Sequence, residues 1–368
     1  MALKILCIGD QHFKPSNIPQ VDIFIQKLEG WLDKNPVDLI ISMGDLLHTH
    51  ERLHTQAFNK AVQYVELISK YAEVPIMAGN HDFCNNSAYL TPNHWLTPLK
   101  KYSNVIVVDD VTIIERKGVK ITLCPYVPDG KFRMALDTKK GEWEDSDCIF
   151  AHQLFDGAKM GAIVAEDVEK WDDDDPMLFC AHIHDSQWVQ DNMYIVGSAM
   201  QEAFGESEDK TLLLLTLEKD DMLDKTTLLD DKGKFTLIDL DLPKKRILYM
   251  EMDELEEFNL DTLKENVEYK LTVDGDQEEF DAFKKTTKYK SLIKKVKIVF
   301  KHKRTFLTEK RERTDDGISS IRERPEAHKK FNKILEELVE QESNPYITDL
   351  FNSLVLQRTG EKEEMLFL

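Results

Sequence analysis

Short apolar runs alternate with amphipathic segments over the first 82 residues. Residues 3–8, 39–43 and 74–78 are continuous apolar runs, which are typical of strands buried on both faces. Between them, apolar side chains recur at three- and four-residue steps over 21–32 and 58–71, as in helices packed on a sheet. The pattern therefore predicts a β-α-β-α-β arrangement, in which crossover helices join parallel strands.

The pattern changes after residue 100. Short β-rich runs then follow at 105–108, 111–114, 119–124, 148–151, 177–181, 193–196 and 212–217. Added to the parallel strands, they predict two packed sheets with helices outside. We therefore expect an α/β fold, a four-layer α-β-β-α sandwich, over residues 1–240.

The remainder of the chain predicts three further segments. Strand-like runs at 244–251 and 295–300 flank an acidic helical segment, so residues 241–305 predict a small α+β capping domain. Residues 306–325 are charged and poor in apolar side chains, which is typical of a linker. Residues 326–368 predict a helical hairpin.

The hairpin prediction rests on two apolar stripes with i, i+3, i+4, i+7 spacing, separated by Ser343-Asn344-Pro345. The stripes consist of Phe331, Ile334, Leu335, Leu338, Ile347, Leu350, Phe351 and Leu354. Since no later segment covers them, they could bind a partner protein. They could equally pack back on their own chain.

The charge distribution bears on the substrate. A formal net charge of −20 argues against nonspecific attraction to nucleic acid. Residues 288–313 are the exception, with eleven Lys or Arg against two Glu. Candidate DNA-binding residues in this stretch are Lys294, Lys295, Lys297, Lys301, Lys303 and Arg304. A solvated, charge-rich surface is the alternative interpretation.

Cysteine usage and hydropathy indicate the compartment. The five cysteines include no Cys-x-x-Cys pair, and four lie in or beside apolar runs, which favours buried, reduced thiols. We expect no signal peptide, and no apolar run approaches the ~18 residues of a membrane span. The expected location is cytoplasmic, associated with the nucleoid or, for a phage-encoded protein, in the host cytoplasm.

Polar side chains follow the predicted strands. Asp10, Asp45 and Asn80 are spaced by 35 residues each time, close to the ~30 residues of one strand–helix–strand unit. Their side chains should therefore meet at the carboxyl edge of one sheet, where open α/β sheets bind ligands. His152 follows a later apolar run, and His182-x-His184 follows another, with both imidazoles on one side of the chain.

The donor types predict a metal centre. Carboxylate, amide and imidazole groups without thiolate favour Mn²⁺, Fe²⁺ or Zn²⁺ over Mg²⁺ or Ca²⁺ alone. Any one histidine is more often a packed or surface residue, but six of the eleven follow apolar runs. The set is too large for one ion and fits two, with one carboxylate bridging them. Such a pair lowers the pKa of a bridging water and clamps a phosphoryl group.

Five motifs carry a family resemblance. Asp10-x-His12, Gly44-Asp45-x-x-His48, Gly79-Asn80-His81-Asp82, His152 and His182-x-His184 resemble those of the calcineurin-like metallophosphoesterase superfamily. Within it, His48 and the segment 197–206 resemble the SbcD-type nuclease subunit of the DNA double-strand-break repair complex and small phage recombination nucleases. The motif match covers residues 1–217. Ala151 and Ala181 stand where family members usually have Gly.

The resemblance implies a set of residue roles. One metal would be held by Asp10, His12 and His184, the other by Asn80, His152 and His182, with Asp45 between them. His81 would stabilise the transition state or protonate the leaving oxygen, and His48 would assist at the phosphate. The implied cofactors are two divalent ions, for which Mn²⁺ is favoured.

The resemblance also implies an activity and partners. The expected reaction is hydrolysis of DNA, exonucleolytic on duplex ends and endonucleolytic on single strands. An SbcC-like ABC-type ATPase would bind the C-terminal hairpin, and the protein would form a homodimer. Two alternatives stay open, namely a phosphomonoesterase or nucleotide phosphatase of the same superfamily and a non-catalytic scaffold for the ATPase.

His50 and His54 could together bind zinc, but a solvated or DNA-facing surface is the favoured interpretation.

Overall fold

The computed structural model describes residues 2–302 except 51, 220, 222 and 232. The predicted linker at 306–325 and hairpin at 326–368 lie outside the described residues, as do Lys303 and Arg304. The eight apolar positions assigned to partner binding therefore remain a prediction, and so do the predicted domain boundaries.

Seventeen strands and seven α-helices make up the described chain. In chain order the strands are β1 (Leu3–Ile8), β2 (Leu39–Ser42), β3 (Val74–Met77), β4 (Val105–Val108), β5 (Thr112–Arg116), β6 (Val119–Cys124), β7 (Cys148–His152), β8 (Lys159–Met160), β9 (Ile163–Val164), β10 (Met177–Ala181), β11 (Gln187–Gln190), β12 (Met193–Ile195), β13 (Leu212–Leu217), β14 (Phe235–Ile238), β15 (Lys244–Glu251), β16 (Val267–Gly275) and β17 (Lys297–His302). The helices are α1 (Ile18–Leu32), α2 (Thr55–Ile68), α3 (Phe132–Leu136), α4 (Lys225–Asp230), α5 (Met252–Glu257), α6 (Gln277–Phe283) and α7 (Thr287–Leu292).

Two six-stranded sheets form the main body. The first has the order β14-β13-β1-β2-β3-β4, in which β1 to β4 are parallel, β13 pairs antiparallel with β1, and β14 pairs antiparallel with β13. The second has the order β11-β12-β10-β7-β6-β5, with parallel inner strands and antiparallel edges. The predicted β-α-β-α-β start and the two-sheet α/β fold are confirmed.

An apolar layer fills the space between the two sheets. Ile5 and Ile41 of the first sheet pack with Phe150 and Phe179 of the second, all fully buried. Helices α1 and α2 cover the outer face of the first sheet. The outer face of the second sheet is covered mainly by loops and the five-residue α3. The outermost layer is therefore less helical than the predicted sandwich.

A three-stranded parallel sheet, in the order β15-β16-β17, follows with its own apolar cluster. Helices α5, α6 and α7 contribute Leu255, Phe283 and Leu292 to this cluster. The predicted pair of strands around a helical segment was incomplete, because β16 runs between them. The apolar alternation of β16, at Tyr269, Leu271 and Val273, is the signal that was overlooked.

The cysteines of the described chain are free thiols, as expected. Cys7, Cys124, Cys148 and Cys180 are buried and free, and Cys84 is exposed. Among the described residues, no helix combines the length and the apolar composition needed to cross a membrane.

Candidate metal centre

The candidate ligands converge because their strands end side by side. Asp10, Asp45 and Asn80 follow β1, β2 and β3, which are neighbours in the first sheet. His152 ends β7, and His182 follows the adjacent β10 of the second sheet. The carboxyl ends of both sheets therefore supply one cluster, as expected for open parallel sheets.

The backbone at these ligands is unusual. Positive φ values occur at Asp10 (40°), His12 (46°), Asp45 (53°) and His182 (97°). They are four of the eight non-glycine residues with positive φ in the described chain. Such conformations cost about 1–3 kcal/mol each and concentrate at functional sites. Half of this backbone strain therefore lies at the candidate metal ligands.

Two motif glycines allow the loops to approach each other. A Cβ on Gly44, whose φ is 99°, would lie 2.6 Å from Nδ1 of His152 and 2.9 Å from the backbone of Gly79. A Cβ on Gly79 would overlap both the side chain and the backbone nitrogen of Asp45. The Gly-Asp motif thus requires glycine for both space and conformation, and the Gly-Asn-His-Asp motif requires it for space.

The first ligand cluster contains Asp10, His12 and His184. The Nε2 atoms of His12 and His184 lie 3.0 Å apart. Nδ1 of His184 lies 3.0 Å from Oε1 of Glu206, and since a carboxylate accepts, this nitrogen donates. The Nε2 lone pair of His184 therefore points at His12. A proton or a cation is needed between the two nitrogens.

The second cluster contains Asn80, His152 and His182. Nδ1 of His152 donates to the carbonyl oxygen of Met43 at 2.8 Å, so Nε2 is the nitrogen that can bind a cation once its proton is displaced. Oδ1 of Asn80 lies 3.1 Å from Nε2 of His152 and 2.9 Å from Nδ1 of His182. Three potential ligand atoms therefore surround one point.

Asp45 lies between the two clusters and is only 2% exposed. Its Oδ2 atom is 3.5 Å from Nε2 of His12 and 3.4 Å from Nε2 of His152. Ligand atoms about 2.1 Å from one cation are separated by roughly 3.0–3.4 Å. The separations of 2.9–3.5 Å given above are close to this spacing, and the ligand atoms of Asp10, His12 and His184 lie within 4.8 Å of one another, so the residues fit two divalent cations that share Asp45.

Burial and charge set the protonation of the metal-free site. Burial lowers the pKa of His12 and of His182 to about 3, so both imidazoles stay neutral. Burial also acts to lower the pKa of His152, but the Asp45 carboxylate outweighs it and raises that pKa to about 9. Burial acts to raise the pKa of Asp45, and the neighbouring histidines hold it well below its usual range. A cation must therefore displace a proton from His152.

His81 and His48 lie beside the first cluster. Nδ1 of His81 donates to the carbonyl oxygen of His48 at 2.6 Å, and its backbone nitrogen donates to Oδ1 of Asp45 at 2.8 Å. Nε2 of His81 is consequently the nitrogen free to act, and it lies 4.0 Å from Oδ2 of Asp45. Nδ1 of His48 lies 3.4 Å from Nδ1 of His12.

Sequence reasoning overlooked two carboxylates in the segment 197–206. Oε1 of Glu202 lies 2.7 Å from Nζ of Lys14 and 3.1 Å from Nδ1 of His48. Glu206 accepts from His184 and also from the backbone nitrogen of Glu202 at 3.0 Å. Their position after β12 was the available signal, since strand ends in both sheets face this centre.

The two positions where alanine replaces glycine are tolerated. Ala151 and Ala181 are fully buried in the apolar clusters on either face of the second sheet. His152 and His182 still lie within 3.3 Å of each other, between Nε2 and Nδ1. The two extra methyl groups therefore do not keep these imidazoles apart.

The candidate DNA-binding residues that the structure describes lie on β17 of the three-stranded sheet and in the loop just before it. Lys294 and Lys295 are exposed just before β17, and Lys297 and Lys301 are exposed on it. Nζ of Lys301 lies 5.7 Å from the ring centre of Tyr249, which is 67% exposed. The structure therefore separates these lysines into a loop pair and a pair on one face of the sheet.

The fold and site agree with a family match. Residues 3–190 match the family model described as Calcineurin-like phosphoesterase, and the chain belongs to this family. The family is one of dimetal phosphoesterases, and the His/Asp clusters described above fit its centre. The protein is therefore a phosphoesterase of the calcineurin-like superfamily.

Two viral relatives are similar over most of the chain. "Putative phosphoesterase 244L" of Invertebrate iridescent virus 6 is 40% identical over 286 residues, which cover 77% of this chain and 97% of that protein. "Putative phosphoesterase 078R" of Invertebrate iridescent virus 3 is 38% identical over 294 residues, covering 79% and 82%. A purple acid phosphatase, PPD1 from yellow lupin seeds, shows a TM-score of 0.40 at 12% identity, covering 59% of this chain and 49% of that chain.

Proposed function

We propose that this chain is a dimetal-dependent nuclease that hydrolyses phosphodiesters in DNA. The observation that carries the dimetal part is the position of Asp45 Oδ2, within 3.5 Å of one imidazole nitrogen from each cluster. Asp45 is the proposed bridging ligand. One ion is assigned to Asp10, His12 and His184, and the other to Asn80, His152 and His182.

The chain's own residues orient the reaction. When bound, two such ions lower the pKa of a bridging water and neutralise charge on the phosphoryl oxygens. The proposed metal ligands are held by backbone contacts, for example by the nitrogen of His182 donating to both oxygens of Asp10 at 3.2 and 3.1 Å. His81 presents Nε2 towards the same region, where it can stabilise developing charge or protonate the leaving oxygen. His48 is placed beside it to assist at the phosphate.

A cavity next to the proposed metal ligands favours a diester over a monoester. Its volume is about 470 Å³, and its lining includes His182, His184, Met160 and Phe204. A phosphomonoester carries one organic substituent, whereas a diester carries two. The cavity offers room for the second substituent, with apolar and aromatic side chains suited to a nucleoside.

The three-stranded sheet supports DNA as the substrate class. Tyr249 and Lys301 lie together on the face opposite the helices, and Lys297 is on the same face. Nζ of Lys270, also on this face, lies 5.9 Å from the ring centre of Phe204 in the cavity wall. Lysines bind phosphates and exposed aromatic rings stack on bases. The lysines of this face, which they share with Glu251, Glu268 and Asp274, offer a route for DNA despite the overall charge of −20.

The principal competing proposal is a phosphomonoesterase or nucleotide phosphatase. The overall negative charge favours it, because a small substrate needs no extended cationic surface. The deciding experiment compares turnover of end-labelled duplex DNA, single-stranded DNA and 4-nitrophenyl phosphate in Mn²⁺. The nuclease proposal predicts DNA cleavage by the wild type and its loss in His81→Ala. Turnover of the monoester without DNA cleavage would establish the competing function.

The role of the basic surface is tested by charge reversal. Lys297→Glu with Lys301→Glu should weaken DNA binding and reduce the slope of log K against log salt by roughly 0.7–0.9 per lost phosphate contact. Lys34→Glu with Lys140→Glu is a matched control, since both lysines are exposed on the main body. Equal effects from the two pairs would mean that only net charge matters.

The native metal, the partner and the oligomeric state complete the proposal. We assign Mn²⁺ as the metal, an ABC-type ATPase as the partner of the 326–368 segment, and a homodimer as the active form.

Leu335→Asp with Leu350→Asp should abolish co-elution with a candidate ATPase while leaving Mn²⁺-dependent cleavage intact. Sedimentation of the full chain tests the dimer, and a monomer at working concentration would contradict it. Retained ATPase binding with no hydrolysis of any ester would identify a scaffold.

A further inference from the structure

The imidazole of His81 rests on a second imidazole that the proposed mechanism does not use. The rings of His50 and His81 are stacked, with centroids 4.7 Å apart and an angle of 13° between their planes. His48 lies parallel to the same ring at a larger centroid distance of 5.4 Å. One short segment, residues 48–50, therefore provides two rings and a carbonyl acceptor for His81.

The hydrogen bond from Nδ1 of His81 to the carbonyl oxygen of His48 does not fix the tilt of the His81 ring. Nδ1 of His81 is held by the carbonyl oxygen of His48, which fixes the tautomer and the position of one ring atom. The ring can still tilt about that atom, since a carbonyl oxygen accepts over a broad range of angles. The side chain of His81 is 27% exposed, so packing on all sides does not hold it. A flat neighbour parallel to the ring restricts this tilt and thereby fixes where Nε2 points.

His50 is held in a manner that suits such a role. Its Nδ1 atom is buried and has no hydrogen-bond partner among the described residues. A polar contact at that atom therefore does not account for the orientation of the ring, whereas the stack on His81 does. An unpaired buried nitrogen is unfavourable, so a benzene ring should be accepted at this position. The feature that matters is the flat ring, not its nitrogen atoms.

His54 gives the contrast within the same loop. It is exposed and precedes Thr55 at the start of α2, and its side chain makes no capping hydrogen bond. The interpretation of His50 and His54 as a solvated or DNA-facing surface did not distinguish the two: His50 is half-buried and stacks on the ring of His81, whereas His54 is exposed. Spacing alone could not separate the two, because the contact is made by a residue more than thirty positions away in the chain.

We infer that His50 is a positioning residue, which holds the His81 ring at the angle needed to present Nε2 to the phosphoryl group. The inference rests on the proposed role of His81, and it needs no assumption about DNA. Only the flat aromatic ring of His50 is needed for this role, and the charge of the imidazole is not. An aromatic replacement should therefore preserve the function, and an aliphatic replacement of similar size should not.

Kinetics with bis(4-nitrophenyl) phosphate in Mn²⁺ test the inference on a substrate that does not require the DNA surface. His50→Ala and His50→Leu should lower kcat roughly three- to tenfold, the range expected for loss of one aromatic contact. KM and the bound metal per chain should change by less than twofold. His50→Phe should retain wild-type kcat, and His54→Ala is the matched control. Equal activity of the Leu and Phe variants would overturn the inference.

A double-mutant cycle separates this role from general support of the fold. If His50 acts through His81, adding His50→Leu to His81→Ala should cause no further loss of kcat. Multiplicative losses would mean that His50 acts independently. If His81→Ala itself is fully active, the proposed mechanism fails rather than the stacking contact. Loss of activity with His81→Ala and full activity with His50→Leu would reject only the positioning role of His50.

A readout on the metal-free protein does not depend on activity. Long-range ¹H–¹⁵N spectra of the imidazoles should show a single Nδ1–H tautomer for His81 in the wild type and in His50→Phe. In His50→Leu and His50→Ala, the His81 signals should broaden or move towards the averaged position of a mobile ring. Unchanged His81 signals in all three variants would contradict positioning by His50, even for a variant with lowered stability.

Discussion

His12 and His184 are 172 positions apart in the chain, yet their Nε2 atoms lie 3.0 Å from each other. Burial keeps the pKa of His12 at about 3, and the hydrogen bond from Nδ1 of His184 to Glu206 leaves its Nε2 lone pair directed at His12. Two lone pairs at this distance repel unless a proton or a cation lies between them. The folded chain therefore forms a site for a positive charge before any metal arrives.

Metal binding should stabilise the fold measurably. Excess Mn²⁺ should raise the Tm of the chelated protein, because a ligand that binds only the folded state at 100 times its Kd adds about 2.7 kcal/mol. In Asp45→Asn, both the shift in Tm and the metal content per chain should fall, since Oδ2 of Asp45 lies near an imidazole nitrogen of each cluster. Asp173→Asn, an exposed carboxylate outside the centre, should behave as the wild type. Two tightly bound ions in Asp45→Asn would contradict its bridging position.

Glu206 should set the metal affinity through His184. Removing a carboxylate that orients a ligating imidazole commonly costs 10–100-fold in metal affinity. We expect a loss of that size at the first metal position in Glu206→Ala, and a smaller one in Glu206→Gln, which keeps an acceptor for Nδ1 of His184. Mn²⁺ titration followed by calorimetry measures it, with Glu142→Ala as an exposed control. Equal affinities of the Ala and Gln variants would argue against orientation by hydrogen bonding.

The two glycines at positions 30 and 79 should respond oppositely to alanine. A methyl group on Gly79 overlaps Asp45, whereas one on Gly30 meets no atom within 4 Å. Gly79→Ala should therefore lower the free energy of unfolding by about 1–3 kcal/mol and reduce metal binding. Gly30→Ala, in the last turns of α1, should raise it by about 0.4–1 kcal/mol. Urea unfolding of the chelated proteins provides the comparison, and similar midpoints would show that the Gly79 loop relaxes freely.

The metal-free protein should lose stability on both sides of pH 6.5. The pKa values of His12 and His182 fall to about 3 on folding, so their contribution is complete above pH 6.5 and disappears as the pH drops towards 3. The pKa of His152 rises to about 9, so its contribution is complete below pH 6.5 and disappears as the pH climbs towards 9. Urea midpoints in EDTA should show both limbs. His152→Asn should flatten the alkaline limb, and His54→Asn should leave it unchanged.

Much of the centre could be predicted from local patterns. Apolar runs located the strands, and the regular spacing of Asp10, Asp45 and Asn80 placed them on one sheet edge. That inference works because parallel strands joined by crossover helices must end on the same side. The small three-stranded sheet was harder to predict, because apolar and charged side chains alternate in β16 and the strand therefore resembles a polar segment. Glu202 and Glu206 follow the predicted strand at 193–196, but the sequence did not show which carboxylates of this segment reach the histidines.

The sequence alone determined the order of the strands and helices at the start of the chain, the residue types of the metal centre and the family to which the chain belongs. These depend on periodicity and on short motifs, which are local properties. Tertiary structure alone decided that Glu206 contacts His184 and that His50 stacks on His81, and it supplied the distances from Asp45 to the two clusters. Such contacts depend on distances of a few ångströms between loops from different strands, and those distances are fixed only when the two sheets pack together.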